Sequence, residues 1–170
     1  MEKEIVNRVS SSQLITFDLE EFYTPGERVL FDLKGLLFQE LVLREKDFRD
    51  YIKSHDWAQY KNKFVAITCS ADAIVPTWAF MLVSVSLQPY AQHIIFGTLK
   101  ELEQTLFQME LNKVDWNKYN NAKVVIKGCS KIDVPLSAYV EATSHLCTIA
   151  SNIMFGEPCS TVPIFKKKSL

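Results

Sequence analysis

Three cysteines of this sequence are each followed by serine, and each lies in a segment that ends in a proline. They are Cys69 in 68–76, Cys129 in 127–135 and Cys159 in 156–163. Thiolates are soft ligands suited to zinc, cuprous ion or iron–sulfur clusters. Three protein ligands leave a fourth position open, which is typical of catalytic or transfer sites. The sequence therefore predicts a zinc or iron–sulfur site formed by these three cysteines.

Two other interpretations of the same cysteines stay open. Free cysteine is often buried, so each one can instead be a small apolar residue that packs in a tight loop. Alternatively, Cys69 or Cys129 is a nucleophile, because a cysteine at the start of a helix has a lowered pKa. No histidine is clearly placed as its base, since His55, His93 and His145 lie outside the cysteine loops. Whether the protein is an enzyme is therefore left undecided.

A repeat with an offset of 59 residues runs through the middle of the chain. The motif Asp-Trp-x-x-Tyr-x-Asn at 56–62 recurs at 115–121. Nine of the 25 positions in 56–80 are identical to those in 115–139, whereas ordinary residue frequencies give roughly one or two. The pattern indicates a tandem duplication.

The duplication relates two of the cysteine loops in one of two ways. Without a gap, Cys69 aligns with Gly128; with a shift of one residue in the loop, Cys69 aligns with Cys129. Both alignments stay open. Trp57 and Trp116 recur in the two copies, and we expect each to anchor a helix end to its sheet.

Each copy is predicted to fold as β-α-β-α. Strands are expected around 35–43, 64–68, 93–98 and 123–127. Helices are expected at 45–52, 76–87, 99–111 and 135–153, from apolar residues at helical spacing and from Val-Pro at the start of two of them. Two such copies predict an α/β fold with a mixed or parallel sheet flanked by helices. In such folds, ligands bind where strands lead into helices, which is where Cys69 and Cys129 lie.

The remaining segments are assigned around the two copies. Hairpin-like strands at 14–17 and 28–33, joined by a Pro-Gly turn, form an N-terminal extension over 1–33. Repeat one covers about 34–91, repeat two about 92–151, and a C-terminal loop or edge strand covers 152–170. The length of 170 residues favours a single domain over 1–170, because chains split into domains only beyond ~250 residues.

Composition narrows the function classes. The net charge of −1 and the pI of about 6.3 disfavour nucleic-acid binding. The longest apolar stretch, 74–87, is broken by Pro76 and is too short for a membrane span, which needs ~20 residues. The charged N-terminus lacks the apolar segment of a signal peptide, so we expect a cytoplasmic protein with reduced cysteines. Its aromatic content of 12% also suits a non-catalytic interaction module, such as a homodimer.

Four segments, 4–9, 68–79, 124–130 and 156–163, resemble the domain-of-unknown-function family DUF2480 of Bacteroidetes. The likeness covers nearly the whole chain, and Cys147 lies outside its segments. The resemblance implies no established activity. It implies an association with bacterial gene clusters for iron–sulfur assembly. The leading hypothesis is therefore a metal- or iron–sulfur-linked protein that is accessory to iron–sulfur assembly and has assembly proteins as partners.

Overall fold

The computed structural model describes residues 14–128, 131–157 and 160–168. The chain divides into two compact units. Residues 25–105 form the central unit, and the described residues of 14–24 and 106–168 form the terminal unit. Each unit has its own sheet and its own apolar core. The single domain over 1–170 stays a prediction.

The described residues form seven strands and four α-helices. The strands are Leu14–Asp18 (β1), Arg28–Asp32 (β2), Phe64–Thr68 (β3), His93–Phe96 (β4), Lys123–Lys127 (β5), Asn152–Glu157 (β6) and Ser160–Lys166 (β7). The helices are Glu45–Ser54 (α1), Thr77–Leu87 (α2), Leu99–Leu111 (α3) and Leu136–Leu146 (α4). Short 3-10 helices cover Leu19–Phe22, Leu33–Leu36, Trp57–Tyr60 and Trp116–Tyr119. These elements confirm the predicted α/β class.

The sheet of the central unit has three parallel strands in the order β2-β3-β4. In the middle strand, Phe64, Val65, Ala66 and Ile67 are all buried. A strand that is covered on both faces reads as a continuous apolar run rather than an alternating one. This burial explains why β3 was readily predicted from its sequence.

The sheet of the terminal unit has four strands in the order β1-β5-β6-β7. The first three are parallel, and β7 pairs antiparallel with β6. Therefore the sheet is mixed, and β7 is an edge strand, which is one of the two alternatives, loop or edge strand, that we expected for the C-terminal segment. Pro163 lies within β7, as is usual for proline on an edge strand, since it has no N–H to donate.

The offset of 59 residues extends over consecutive elements. The 3-10 helix Trp116–Tyr119, β5 and α4 each lie 59 residues beyond the 3-10 helix Trp57–Tyr60, β3 and α2. The first four residues of β6 have the same relation to β4. Within its unit, β4 is thus a last strand, whereas we expected 93–98 to begin the second copy. The duplication itself stays a prediction.

The predicted hairpin of strands 14–17 and 28–33 is wrong, because β1 pairs with β5 and β2 pairs with β3. The aromatic contacts explain the separation. Phe31 stacks on Trp57 with ring centroids 5.5 Å apart, and Phe17 stacks on Trp116 at 5.4 Å. Each strand thus buries its phenylalanine in the core of a different unit. The contacts also give Trp57 and Trp116 the packing role that we expected.

Two further predictions differ from the structure. Residues 35–43 form no strand: a 3-10 helix ends at Leu36, and a tight turn follows in which the amide of Phe38 donates to the carbonyl of Val42 at 2.7 Å. Gln39 and Glu40 at its tip have φ values of 52° and 57°, which are not strand conformations. The helix predicted at 135–153 ends at Leu146, and residues 152–155 instead pair with β5 as the first part of β6.

Candidate functional site

Among the predicted metal ligands, Cys69 lies within the described residues, whereas Cys129 and Cys159 lie outside them. Cys69 follows β3 directly and is half-buried against the core of the central unit. Its Sγ lies 3.9 Å from the carbonyl oxygen of Ala71. Among residues 14–128, 131–157 and 160–168, no three His, Cys, Asp or Glu side chains are grouped to hold a metal. The site of Cys69, Cys129 and Cys159 stays a prediction.

The loop that carries Cys69 is attached to β2 by Asp32. This carboxylate accepts hydrogen bonds from the amide of Ser70 at 3.0 Å, from its hydroxyl at 2.5 Å, and from the amide of Lys34 at 2.9 Å. Partial burial acts to raise the pKa of Asp32, but these hydrogen bonds outweigh it and lower the pKa. The two hydrogen bonds from Ser70 to the Asp32 carboxylate therefore hold the loop in position beside β2.

The strand registers bear on which residue corresponds to Cys69. Asp32 is opposite Thr68 in the central unit, and Asp18 is opposite Lys127 in the terminal unit. The next residues along the chain are Cys69 and Gly128. The helices that follow these loops also begin 59 residues apart, so the two loops have equal length. The structure therefore favours the alignment without a gap.

The pair of Cys69 and Gly128 is matched by a second pair of residues. A Cβ added to Gly128 would lie 2.6 Å from the hydroxyl oxygen of Tyr139. Phe80 occupies the position of Tyr139 in the central unit, and each ring packs edge-on against a phenylalanine of the last parallel strand. At these two equivalent positions, the terminal unit has Gly128 and Tyr139, whereas the central unit has Cys69 and Phe80.

The central unit carries an apolar groove between α2 and β4. Its volume is about 650 Å³. Met81, Val85 and Phe96, which line it, are exposed by 62%, 70% and 71%. None of its lining residues is charged: they are Ile67, Thr77, Phe80, Met81, Ser84, Val85, Ile94, Ile95 and Phe96. A contiguous apolar surface of this kind marks a site of interaction.

The last parallel strands of the two sheets differ in what lies beside them. In the terminal unit, β6 is covered by β7, which pairs with it along its whole length. In the central unit, no described strand pairs with the outer edge of β4. This edge offers unpaired backbone N–H and C=O groups next to the apolar groove. The groove and the edge together form the candidate site, which we call the β4 face.

The comparisons with known proteins give the family. A family model described as "Protein of unknown function (DUF2480)" matches residues 3–167. The chain belongs to this family. The match confirms the DUF2480 resemblance over nearly the whole chain and brings no activity with it. Searches of the curated proteins and of the solved structures found no match.

Sequence reasoning did not identify the β4 face of this DUF2480 chain, although a signal was present. Residues 77–87 contain no charged side chain, and a helix that is apolar on all sides is normally buried. The uncharged sequence predicts such a helix, but it does not show which side of the helix stays exposed. The groove is a property of α2 and β4 together.

No helix among the described residues is long and apolar enough to cross a membrane.

Proposed function

We propose that this DUF2480 protein is a non-catalytic interaction module that binds a β-strand of a partner protein at the β4 face. One observation carries the proposal: β6 is covered by an antiparallel strand, whereas its counterpart β4 has an open edge beside exposed apolar side chains. An added strand would satisfy the backbone groups of β4, and its side chains would fill the groove. This is the recognition mode called β-augmentation.

The β4 edge lacks the features that usually prevent unwanted pairing. Proteins protect edge strands with charged residues, proline or bulges. β7 contains both Pro163 and Lys166, and β2 contains Arg28 and Asp32. β4, with the sequence His-Ile-Ile-Phe, has no proline and no Asp, Glu, Lys or Arg. An unprotected edge beside an apolar groove favours specific pairing with another protein.

In this proposal, the described cysteines have no chemical role. Cys69 packs against the core of the central unit, and Cys147 is exposed on the other. Both are free thiols, as is usual in a reducing compartment, so we place the interaction in the cytoplasm. The predicted zinc or iron–sulfur role and the iron–sulfur assembly partners stay predictions, since two of the three ligands lie outside the described residues.

Site-specific photo-crosslinking tests the proposal. A photoreactive phenylalanine analogue is placed at Val85, and in a control at Ser144, the exposed residue 59 positions later on α4. The variants are produced in cells of the organism that naturally makes this protein. After irradiation of these cells, the crosslinked peptides are identified by mass spectrometry. We expect a defined protein to be crosslinked from position 85 and not from position 144. The absence of any protein crosslinked from position 85 would overturn the proposal.

A further inference from the structure

We infer that the strand which completes the β4 face is β4 of a second copy of this chain. The inference rests on the proposed function and names its partner. An edge strand can pair antiparallel with its own copy about a twofold axis, so that both subunits use the same surface. Two three-stranded sheets would then form one continuous sheet of six strands. The antiparallel pairing of β7 with β6 is the same kind of contact, made within one chain.

The backbone of β4 is oriented for this pairing. The amide of Gly97 donates to the carbonyl of Ile67 at the end of β3, at 2.9 Å. Because alternate residues of a strand form their hydrogen bonds on the same side, the amides of Ile94 and Phe96 point away from β3. These two amides are available to a second β4. They also supply a direct signal for the experiment.

The side chains of α2 would meet across the same axis. A twofold axis perpendicular to the joined sheets places both copies of α2 on one face, side by side. Thr77, Met81 and Val85 follow at spacings of four residues and form a stripe along the groove side of the helix. Each stripe would pack against its copy, beside the exposed ring of Phe96. One contact would therefore bury the groove and satisfy the strand edge.

The charge of the β4 face favours a second copy over an unrelated partner. Self-association places identical groups near one another, so a face with a net charge would repel its copy. Neither α2 nor β4 contains Asp, Glu, Lys or Arg. A partner of different sequence would impose no such requirement, since opposite charges on the two sides would then strengthen binding.

The exposed apolar side chains supply a large part of the area that a dimer interface needs. Large apolar side chains have areas of roughly 150–200 Å², so Met81, Val85 and Phe96, at the exposed fractions given above, supply up to roughly 350 Å² per copy. The two copies therefore contribute roughly 700 Å² from these side chains alone. The strand backbone and the partly buried groove residues add to this area, and a specific interface needs about 1,000 Å².

The test uses matched charge substitutions in the full chain. Met81→Glu places a carboxylate in the β4 face, and Val140→Glu changes the residue 59 positions later, on α4, which is 70% exposed. We expect the wild-type chain and Val140→Glu to sediment as dimers at about 100 μM, and Met81→Glu to dissociate at least about 100-fold more readily, because a buried unpaired charge is costly. Circular dichroism checks that both variants keep the fold.

Hydrogen exchange of the wild-type chain gives a second reading that needs no variant. The amides of Ile94 and Phe96 should become protected as the protein concentration rises through the dimerisation range. A monomer at about 100 μM, a dimer that Met81→Glu leaves intact, or no such protection would each overturn the second copy as partner. If position 85 still crosslinks to another protein, the proposed function survives that result; if it crosslinks to nothing, both fail.

Discussion

Replacing Asp32 by alanine should destabilise the central unit more than the loss of an ordinary helix cap. The Asp32 carboxylate caps the 3-10 helix Leu33–Leu36 through the amide of Lys34 and also accepts two hydrogen bonds from Ser70. The cap contributes about 1 kcal/mol. Hydrogen bonds to a charged group contribute about 1.5–3 kcal/mol each when buried. Because Asp32 is partly exposed, we reduce the contribution of each of the two hydrogen bonds from Ser70 to about 1 kcal/mol. The expected loss is about 3 kcal/mol.

The matched control is Asp56→Ala. Asp56 caps the 3-10 helix Trp57–Tyr60 in the same unit through one hydrogen bond, from the amide of Ala58 at 3.1 Å. We expect it to cost about 1 kcal/mol. The free energy of unfolding is measured by urea titration at pH 7, with tryptophan fluorescence as the signal. A loss in Asp32→Ala that is no larger than in Asp56→Ala would refute the claim that Asp32 holds the Ser70 loop.

The pH dependence tests the same reasoning independently. The folded pKa of Asp32 is lowered, because the hydrogen bonds from Ser70 and Lys34 outweigh burial. A depressed carboxyl pKa adds stability above the unfolded value of about 3.9, and this stability is lost as the pH falls through the folded pKa. The difference between wild type and Asp32→Ala should therefore be equal at pH 7 and pH 5 and should shrink below about pH 4. A difference that shrinks already between pH 7 and pH 5 would contradict this assignment.

Two further predictions concern the cysteine loops and their counterparts. Gly128→Ala should lower the free energy of unfolding by about 1–3 kcal/mol through overpacking, since the added Cβ would meet the Tyr139 hydroxyl. Adding Tyr139→Phe should recover most of that loss in urea titrations. A double variant that is no more stable than Gly128→Ala would refute this explanation. Replacing Cys69, Cys129 and Cys159 together by serine should leave crosslinking from the β4 face intact. Metal analysis of untagged protein purified anaerobically, before and after zinc and iron reconstitution, decides the alternative: bound metal that this triple variant lacks would confirm the predicted site, and protein that stays metal-free would exclude it.

Much of the secondary structure follows from local pattern. The helices α1, α2 and α3 and the strands β3 and β5 lie where periodicity and β-branched runs predict them. Pro76 and Pro135 immediately precede α2 and α4, because the residue that begins a helix needs no N–H partner. These features depend on neighbours within a few residues. The sequence therefore determined them without any knowledge of the sheet.

Strand pairing was decided only by tertiary structure. The short separation of β1 and β2 suggests a hairpin, yet Phe17 and Phe31 are buried in separate aromatic clusters. The residues that a strand pairs with are distant in sequence, and the packing of side chains selects among them. For the same reason, residues 35–43 are apolar enough for a strand but form a turn beside a 3-10 helix.

The β4 face shows the same limit for function. The sequence determined that 77–87 is an apolar helix and that 93–96 is a strand. It did not determine that β4 would be the last strand of its sheet, or that β7 would cover β6 and leave β4 uncovered. Whether a side chain is exposed depends on the assembled sheet. Met81 on α2, for example, would be buried if another strand covered the outer edge of β4. Only the tertiary structure could place an apolar groove next to an open edge.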